Sequence, residues 1–147
     1  MIAPVGPVYQ AGTLSGNPLA VAAGKSTLSI LKNEAIYRDL EDRSMEFEKG
    51  SMKASAKHKV PILINRVGSM WTIFFTAEPV TNLESARRSD SDRFSRFFHL
   101  MLSEGVYLPP SQFESAFFSS AHAKKDIQQL VERVDRVLKR LAWEFEK

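Results

Sequence analysis

Apolar positions spaced three and four residues apart dominate both ends of this chain, and short continuous apolar runs occupy its middle. From Pro18 to about Lys32, Leu19, Ala22, Ala23, Ile30 and Leu31 fall on one face of a helix. Small residues at Ala20, Ala22, Ala23 and Gly24 would let another backbone approach its early turns. Asn33 is placed to cap a second helix, with Glu34 in its first turn and Ile36, Leu40 and Phe47 on the buried face. That helix is expected to run into the fifties and fade among the lysines. After Pro61 the period changes: residues 62–67 and 70–76 read as strands joined at Gly68-Ser69, a hairpin signature. The second run is apolar on both faces, as a central strand would be.

Residues 78–91 are polar and read as an exposed loop. Asp90 or Ser91 then starts a helix through Phe94, Phe97, Phe98, Met101 and Leu102, ending near Gly105. Val106-Tyr107-Leu108 reads as a short strand stopped by Pro109-Pro110, and Phe117-Phe118 as another. The last helix has the clearest stripe: Ile127, Leu130, Val131, Val134, Leu138, Leu141, Ala142 and Phe145, with charges opposite. This order predicts an α+β fold, a small sheet covered by helices. It divides into a loop at 1–17, a helical connection at 18–58 and a small α/β domain at 59–147.

Composition narrows the class without naming an activity. At 147 residues with 44% hydrophobic and 25% charged content, the chain has enough apolar side chain for one core. No apolar run is long enough to span a bilayer, and the N-terminus lacks the basic-then-apolar order of a signal peptide. The absence of cysteine excludes a disulfide framework, a thiolate nucleophile and a Cys-type zinc site, and fits a reducing, cytoplasmic setting. The net charge of +3 is spread over interspersed signs. The one basic cluster, Lys53, Lys57, His58 and Lys59, reads as a solvated helix end rather than a nucleic-acid footprint. The histidines at 58, 99 and 122 lack metal-ligand spacing and are expected to be satisfied structural residues. No G-x-S-x-G elbow, Walker A or G-x-G-x-x-G motif is present.

Two constellations carry candidate chemistry. Residues 6–18, GPVYQAGTLSGNP, gather glycines, prolines, hydroxyls, a phenol and amides immediately before a helix. N–H groups near Gly12 and Thr13, with the Thr13 hydroxyl, suit a phosphate; a tight turn needing unusual backbone angles is the plain alternative. The second is LPPSQFE at 108–114 followed by FFSSAH at 117–122. Partial burial of Glu114 there would perturb its carboxylate or aim it at a cationic group. A surface carboxylate in a rigid loop is the alternative.

Together GPVYQAGTLSGNPLA at 6–20, VGSMWTIFFT at 67–76 and FFHLMLSEGVYLPPSQFESAFFSSAH at 97–122 resemble the class-III aminotransferase family, and within it the aminomutase branch. Tyr9-Gln10 and Glu114 favour that branch over other class-III aminotransferases. The resemblance covers essentially the whole chain. It implies the C-terminal small domain of a fold-type I transferase dependent on pyridoxal 5′-phosphate and its pyridoxamine form, preceded by a loop and helix from the large-domain edge. It also implies an intramolecular amino-group exchange that yields 5-aminolevulinate, the tetrapyrrole precursor. On this resemblance Thr13 reaches the cofactor phosphate of the neighbouring subunit in a homodimer, and Gly12 adds a backbone contact nearby. Tyr9 lies near the cofactor, and Glu114 helps place the substrate's amino group. The substrate is a small molecule; neither nucleic acid nor membrane is implied as a partner.

The chain departs from the family pattern in one respect. No segment matches the Schiff-base lysine strand, the aspartate that pairs with the pyridine nitrogen, the glycine-serine phosphate loop or the mobile gating loop. Lys25, inside the first helix, is no substitute for the lysine. Met1-Ile2-Ala3-Pro4 resembles internal family sequence. The expectation is therefore a C-terminal portion that is inactive alone and holds no cofactor by itself, or else a non-catalytic association module.

Overall fold

The computed structural model describes residues 2–145, without the side chain of Phe145. The internal character of Met1 and the seat of Phe145 in the last helix's stripe lie outside that description. The chain forms two compact units, Met1–Ile36 and Tyr37–Lys147.

In the first unit the opening loop folds on itself. Ala3 N–H donates to Val8 O (2.8 Å), Gly6 N–H to Ile2 O (3.1 Å) and Ser15 N–H to Gly12 O (2.9 Å). Helix α1 spans Pro18–Leu31, opened by Asn17 with Pro18 in its first turn. None of its residues is buried. Helix α2, Glu34–His58, starts at Asn33, whose Oδ1 accepts from Ala35 N–H at 3.0 Å.

In the second unit α2 turns Ser44, Phe47, Ser51, Ala54 and Ser55 inward. The strands β1 (Leu63–Val67) and β2 (Met70–Phe74) form a hairpin with Leu63 opposite Phe74 and Val67 opposite Met70. Its two-residue turn uses Gly68 at φ 58°, backbone that glycine adopts without a Cβ clash. Strand β3, Ala116–Phe117, pairs antiparallel with β2, so the sheet order is β1-β2-β3 and β2 is central, as its two-sided apolar pattern requires. Helices α4 (Ser91–Ser103) and α5 (Lys124–Phe145) pack against each other, and Arg96 clasps Glu144 through two bonds of 2.7 Å. The core unites Phe47, Trp71, Phe97, Met101, Leu138 and Leu141. A small second cluster of Phe74, Val80 and Ala86 sits apart from it. The α+β expectation holds.

Four local expectations are corrected. Within 78–91 a short helix α3, Leu83–Arg87, forms because Asn82 and Ser85 cap each other reciprocally. Val106–Leu108 is not a strand. Gly105 at φ 78° turns the chain out of α4, Val106 N–H returns to Met101 O (2.9 Å), and Pro109-Pro110 offer no N–H for a ladder. The basic cluster is only partly solvated: Lys57 and His58 both close on Asp135 of α5, at 2.9 and 3.0 Å. Finally, His58 and His122 have partners, but His99 is exposed, its ring edge-on to Phe98.

The Asp135 cluster gives the fold an acid limb. Lys57 above all, then His58, holds the Asp135 carboxyl below its usual range, against the opposing effect of burial. A carboxylate with a lower pKa folded than unfolded stabilises the fold above its unfolded value, about 3.9, and loses that contribution as pH falls through the folded value. Urea midpoints followed from about pH 5 to pH 2 should therefore drop less steeply in Asp135→Asn than in wild type. Parallel curves would remove Asp135 from the acid response.

At Gly50 the backbone of α2 comes close against α5. A Cβ there would stand 2.5 Å from Val131 Cγ1 and 2.8 Å from Cγ2. Mid-helix Gly→Ala ordinarily gains about 0.5–1 kcal/mol. Here the stiff, branched Val131 has little room to yield, and overpacking costs about 1–3 kcal/mol. Gly50→Ala should be net destabilising by about 1 kcal/mol, and Val131→Ala should relieve it in the double variant; a stabilised Gly50→Ala would show that the helices part freely.

Candidate cofactor loop and carboxylate cleft

The loop before α1 builds its own closed helix mouth. Asn17 Oδ1 accepts from Leu19 N–H (3.0 Å) and Ala20 N–H (3.2 Å), Asn17 O accepts from Val21 N–H (2.9 Å), and Pro18 has no N–H. No donor is left there for an anion. The capacity lies upstream instead. Among the described residues, neither the Thr13 N–H nor its hydroxyl is taken up by a protein partner. Gly12 faces Ser15, whose Oγ would lie 2.6 Å from an added Cβ, and Gln10 Nε2 donates to that same Oγ at 2.9 Å. Glycine at 12 therefore answers to close contact within the turn, while Thr13 and Tyr9 project freely, Tyr9 at 83% exposure. These groups fit a phosphate held by N–H and O–H donors rather than by a cationic side chain.

In the second unit Glu114 ends a tight turn. Its N–H donates to Ser111 O (3.1 Å), and Phe113 N–H donates to Ser111 Oγ (3.2 Å). The carboxylate is exposed, as a surface carboxylate in a rigid loop would be and not partly buried: Pro109-Pro110 and the pairing of Ala116 with Trp71 carry residues 113–115 outward. Glu114 lines a cleft of about 660 Å³ with Tyr107, Pro110, Phe118, His122 and Arg133. The His122 side of the cleft is anchored. His122 Nδ1 accepts from Ser119 N–H (3.0 Å), and Arg43 of α2 donates to the backbone oxygen of His122. An open carboxylate beside an aromatic wall can meet a ligand ammonium without first breaking an internal ion pair.

Tyr9, Gly12 and Thr13 lie in the first unit and Glu114 in the second. Sequence reasoning missed Arg43 and Gln112, which hold the loops beside Glu114. The only signal available for Gln112 was a polar residue standing between Pro-Pro and Phe.

The small antiparallel sheet with its covering helices is the fold of a domain within pyridoxal-phosphate transaminases. It superposes on an omega-transaminase from Sphaerobacter thermophilus with a TM-score of 0.76 at 17% identity, over 94% of this chain and 31% of that one. A transaminase with PLP bound gives 0.75 at 14% identity, over 98% of this chain and 32% of that one. The sequence profile "Aminotransferase class-III" matches residues 1–138, and the chain belongs to that family. Within it, the chain is 52% identical over 140 residues to glutamate-1-semialdehyde 2,1-aminomutase of Persephonella marina, covering 95% of this chain and 33% of that protein. It is 50% identical over 138 residues to the Thermus thermophilus enzyme of the same name, covering 93% and 32%. The chain thus spans about a third of the length of the curated relatives it matches.

Proposed function

We propose that this chain is the C-terminal part of an aminomutase that converts glutamate-1-semialdehyde to 5-aminolevulinate, and that the 147 residues alone are catalytically silent. The observation that carries this reading is identity near one half, sustained across 95% of the chain, to relatives bearing that enzyme's name. Conversion to 5-aminolevulinate places the enzyme in tetrapyrrole synthesis, and the cysteine-free composition supports a cytoplasmic setting.

In this reading Thr13 and Gly12 hold the phosphate of pyridoxal 5′-phosphate or its pyridoxamine form for the neighbouring subunit of a homodimer. When bound, the cofactor supplies the amine and the electron sink for the exchange. Tyr9 stands beside it, and its phenol can hold or pass a proton at its oxygen. Glu114 receives the substrate's ammonium and fixes which amine is presented.

The free faces of Thr13 and Tyr9 support this assignment over a purely structural turn. A non-catalytic association module is the second reading, favoured by α1, which buries nothing within its own unit and exposes Leu19 at 81% and Ile30 at 63%. Titration with pyridoxal phosphate separates these readings. The isolated chain is expected to show no stoichiometric lysine-linked absorption band reducible by borohydride, whereas the full-length polypeptide shows the band and forms 5-aminolevulinate. Turnover by the isolated chain would overturn the silence, and a full-length polypeptide without conversion would overturn the aminomutase reading.

A further inference from the structure

The turn that carries Glu114 reverses the usual partition of polar and apolar side chains. Phe113 is 55% exposed, whereas its neighbour Gln112 is only 3% exposed. Gln112 Oε1 lies 3.1 Å from Ser89 Oγ, and Ser89 Oγ lies 2.6 Å from Ala86 O. Ser89 is itself 6% exposed and directly precedes Asp90, whose N–H donates to Phe75 O at 3.0 Å and whose side chain caps α4. The glutamine is thus tied, through one hydroxyl, to the junction of α3 and α4 and so to the end of the central strand.

This arrangement carries an energetic penalty. Gln112 Nε2 is buried with no partner among the described residues, and the single Ser89 proton can serve only one of Ala86 O and Gln112 Oε1, so the amide is incompletely satisfied where an unbranched apolar side chain would not be. What a glutamine supplies, and an apolar residue cannot, is direction. Two residues on, Glu114 is bound to the same turn through Ser111, and two residues beyond that Ala116 is locked to Trp71. Glu114 therefore sits on a short span fixed at both ends, with Gln112 as the end nearer α4.

We propose that Gln112 and Ser89 are positioning residues that set where the Glu114 carboxylate stands, and hence how a substrate ammonium is presented. The proposal rests on the reading of Glu114 as the substrate-placing carboxylate. A loosely held site group costs about ten- to a hundredfold in rate for a displacement near 1 Å.

The test uses the full-length polypeptide with Gln112→Met, which keeps the volume and removes the hydrogen bond, alongside Ser89→Ala, the double variant and Glu114→Gln. Gln112→Met should retain its thermal midpoint yet lose roughly tenfold in kcat/KM, with KM carrying most of the change. The double variant should be no worse than the poorer single, because both cut one link. If Glu114→Gln is impaired and Gln112→Met stays within twofold of wild type, the positioning role falls and the aminomutase reading stands. If Glu114→Gln converts substrate as wild type does, the role of Glu114 fails and the proposal fails with it. Hydrogen exchange covers the case in which Gln112→Met proves unstable in assay. Faster exchange at the Phe113 and Glu114 amides, with Val134 and Leu138 unchanged, supports the anchor; unchanged exchange at all four overturns it.

Discussion

Phe47→Ala is expected to remove about 3–5 kcal/mol from the stability of the chain, a large part of the 5–15 kcal/mol that a domain of this size has to lose. Phe47 is 0% exposed, on the inner face of α2. Its ring centroid lies 4.4 Å from that of Trp71 in β2 and 5.4 Å from that of Phe118, just past β3. Truncation therefore opens a void where helix, central strand and third strand meet, and the two aromatic neighbours are poorly suited to fill it. Trp71 and Phe118 are rigid rings already in contact with each other at 5.4 Å. Phe113→Ala makes the matched control, because its ring is 55% exposed and its loss should stay within about 0.5 kcal/mol. Guanidinium melts of the two variants measure the difference. A loss below about 1.5 kcal/mol at Phe47 would mean that the core does not close on this ring.

The contrast between these two phenylalanines also marks how far the sequence could be read. Elements whose signals are local were legible: Asp90 as a cap, Gly68-Ser69 as a two-residue turn, and the stripe from Ile127 to Leu141. Features set by a distant neighbour were not. Ser44, Ser51 and Ser55 are buried on α2 although a hydrophobic pattern counts them as polar; two of them return their hydroxyls to backbone oxygens, at 2.8 and 2.6 Å. Val106-Tyr107-Leu108 has the composition of a strand, but pairing needs a neighbour that no local pattern supplies. Lys57 and His58 look like a solvated end until Asp135, far along the chain, is brought beside them. The same limit applies to the site. Pattern alone marked the Thr13 loop as suited to phosphate and Glu114 as a notable carboxylate. It also marked Asn17 as the cap of α1, which the bonds from Leu19 and Ala20 bear out, but it could not show that Gln112 and not Phe113 faces inward. The roles proposed for Tyr9, Thr13 and Glu114 come from family resemblance, and their exposed polar groups suit them.

Mixing two inactive variants of the full-length polypeptide should restore about one quarter of wild-type activity, if Thr13 serves the partner's site and Glu114 its own. On that reading Thr13→Ala would remove a hydrogen bond to a charged phosphate, about 1.5–3 kcal/mol, and should weaken cofactor retention by roughly ten- to a hundredfold. Thr13→Ser, which keeps the hydroxyl, should recover most of it. Glu114→Gln keeps shape but loses the charge that would meet the ammonium on the same reading, and should depress kcat/KM by about a hundredfold. When the two variants are dissociated and reassociated at random, about half the dimers are mixed. In each mixed dimer one site receives both lesions and the other neither, so about one intact site in four is recovered overall. Were Thr13 and Glu114 to serve the same site within one subunit, every site in the mixture would carry one lesion and no activity would return. With each variant alone assayed at a cofactor concentration that leaves it far below one quarter of wild type, the gain on mixing reports which subunit each residue serves. Cofactor retention scored on the same mixture checks that Thr13→Ala acts through the phosphate: sites paired with an unmodified Thr13 should hold the cofactor through gel filtration, and the others should lose it.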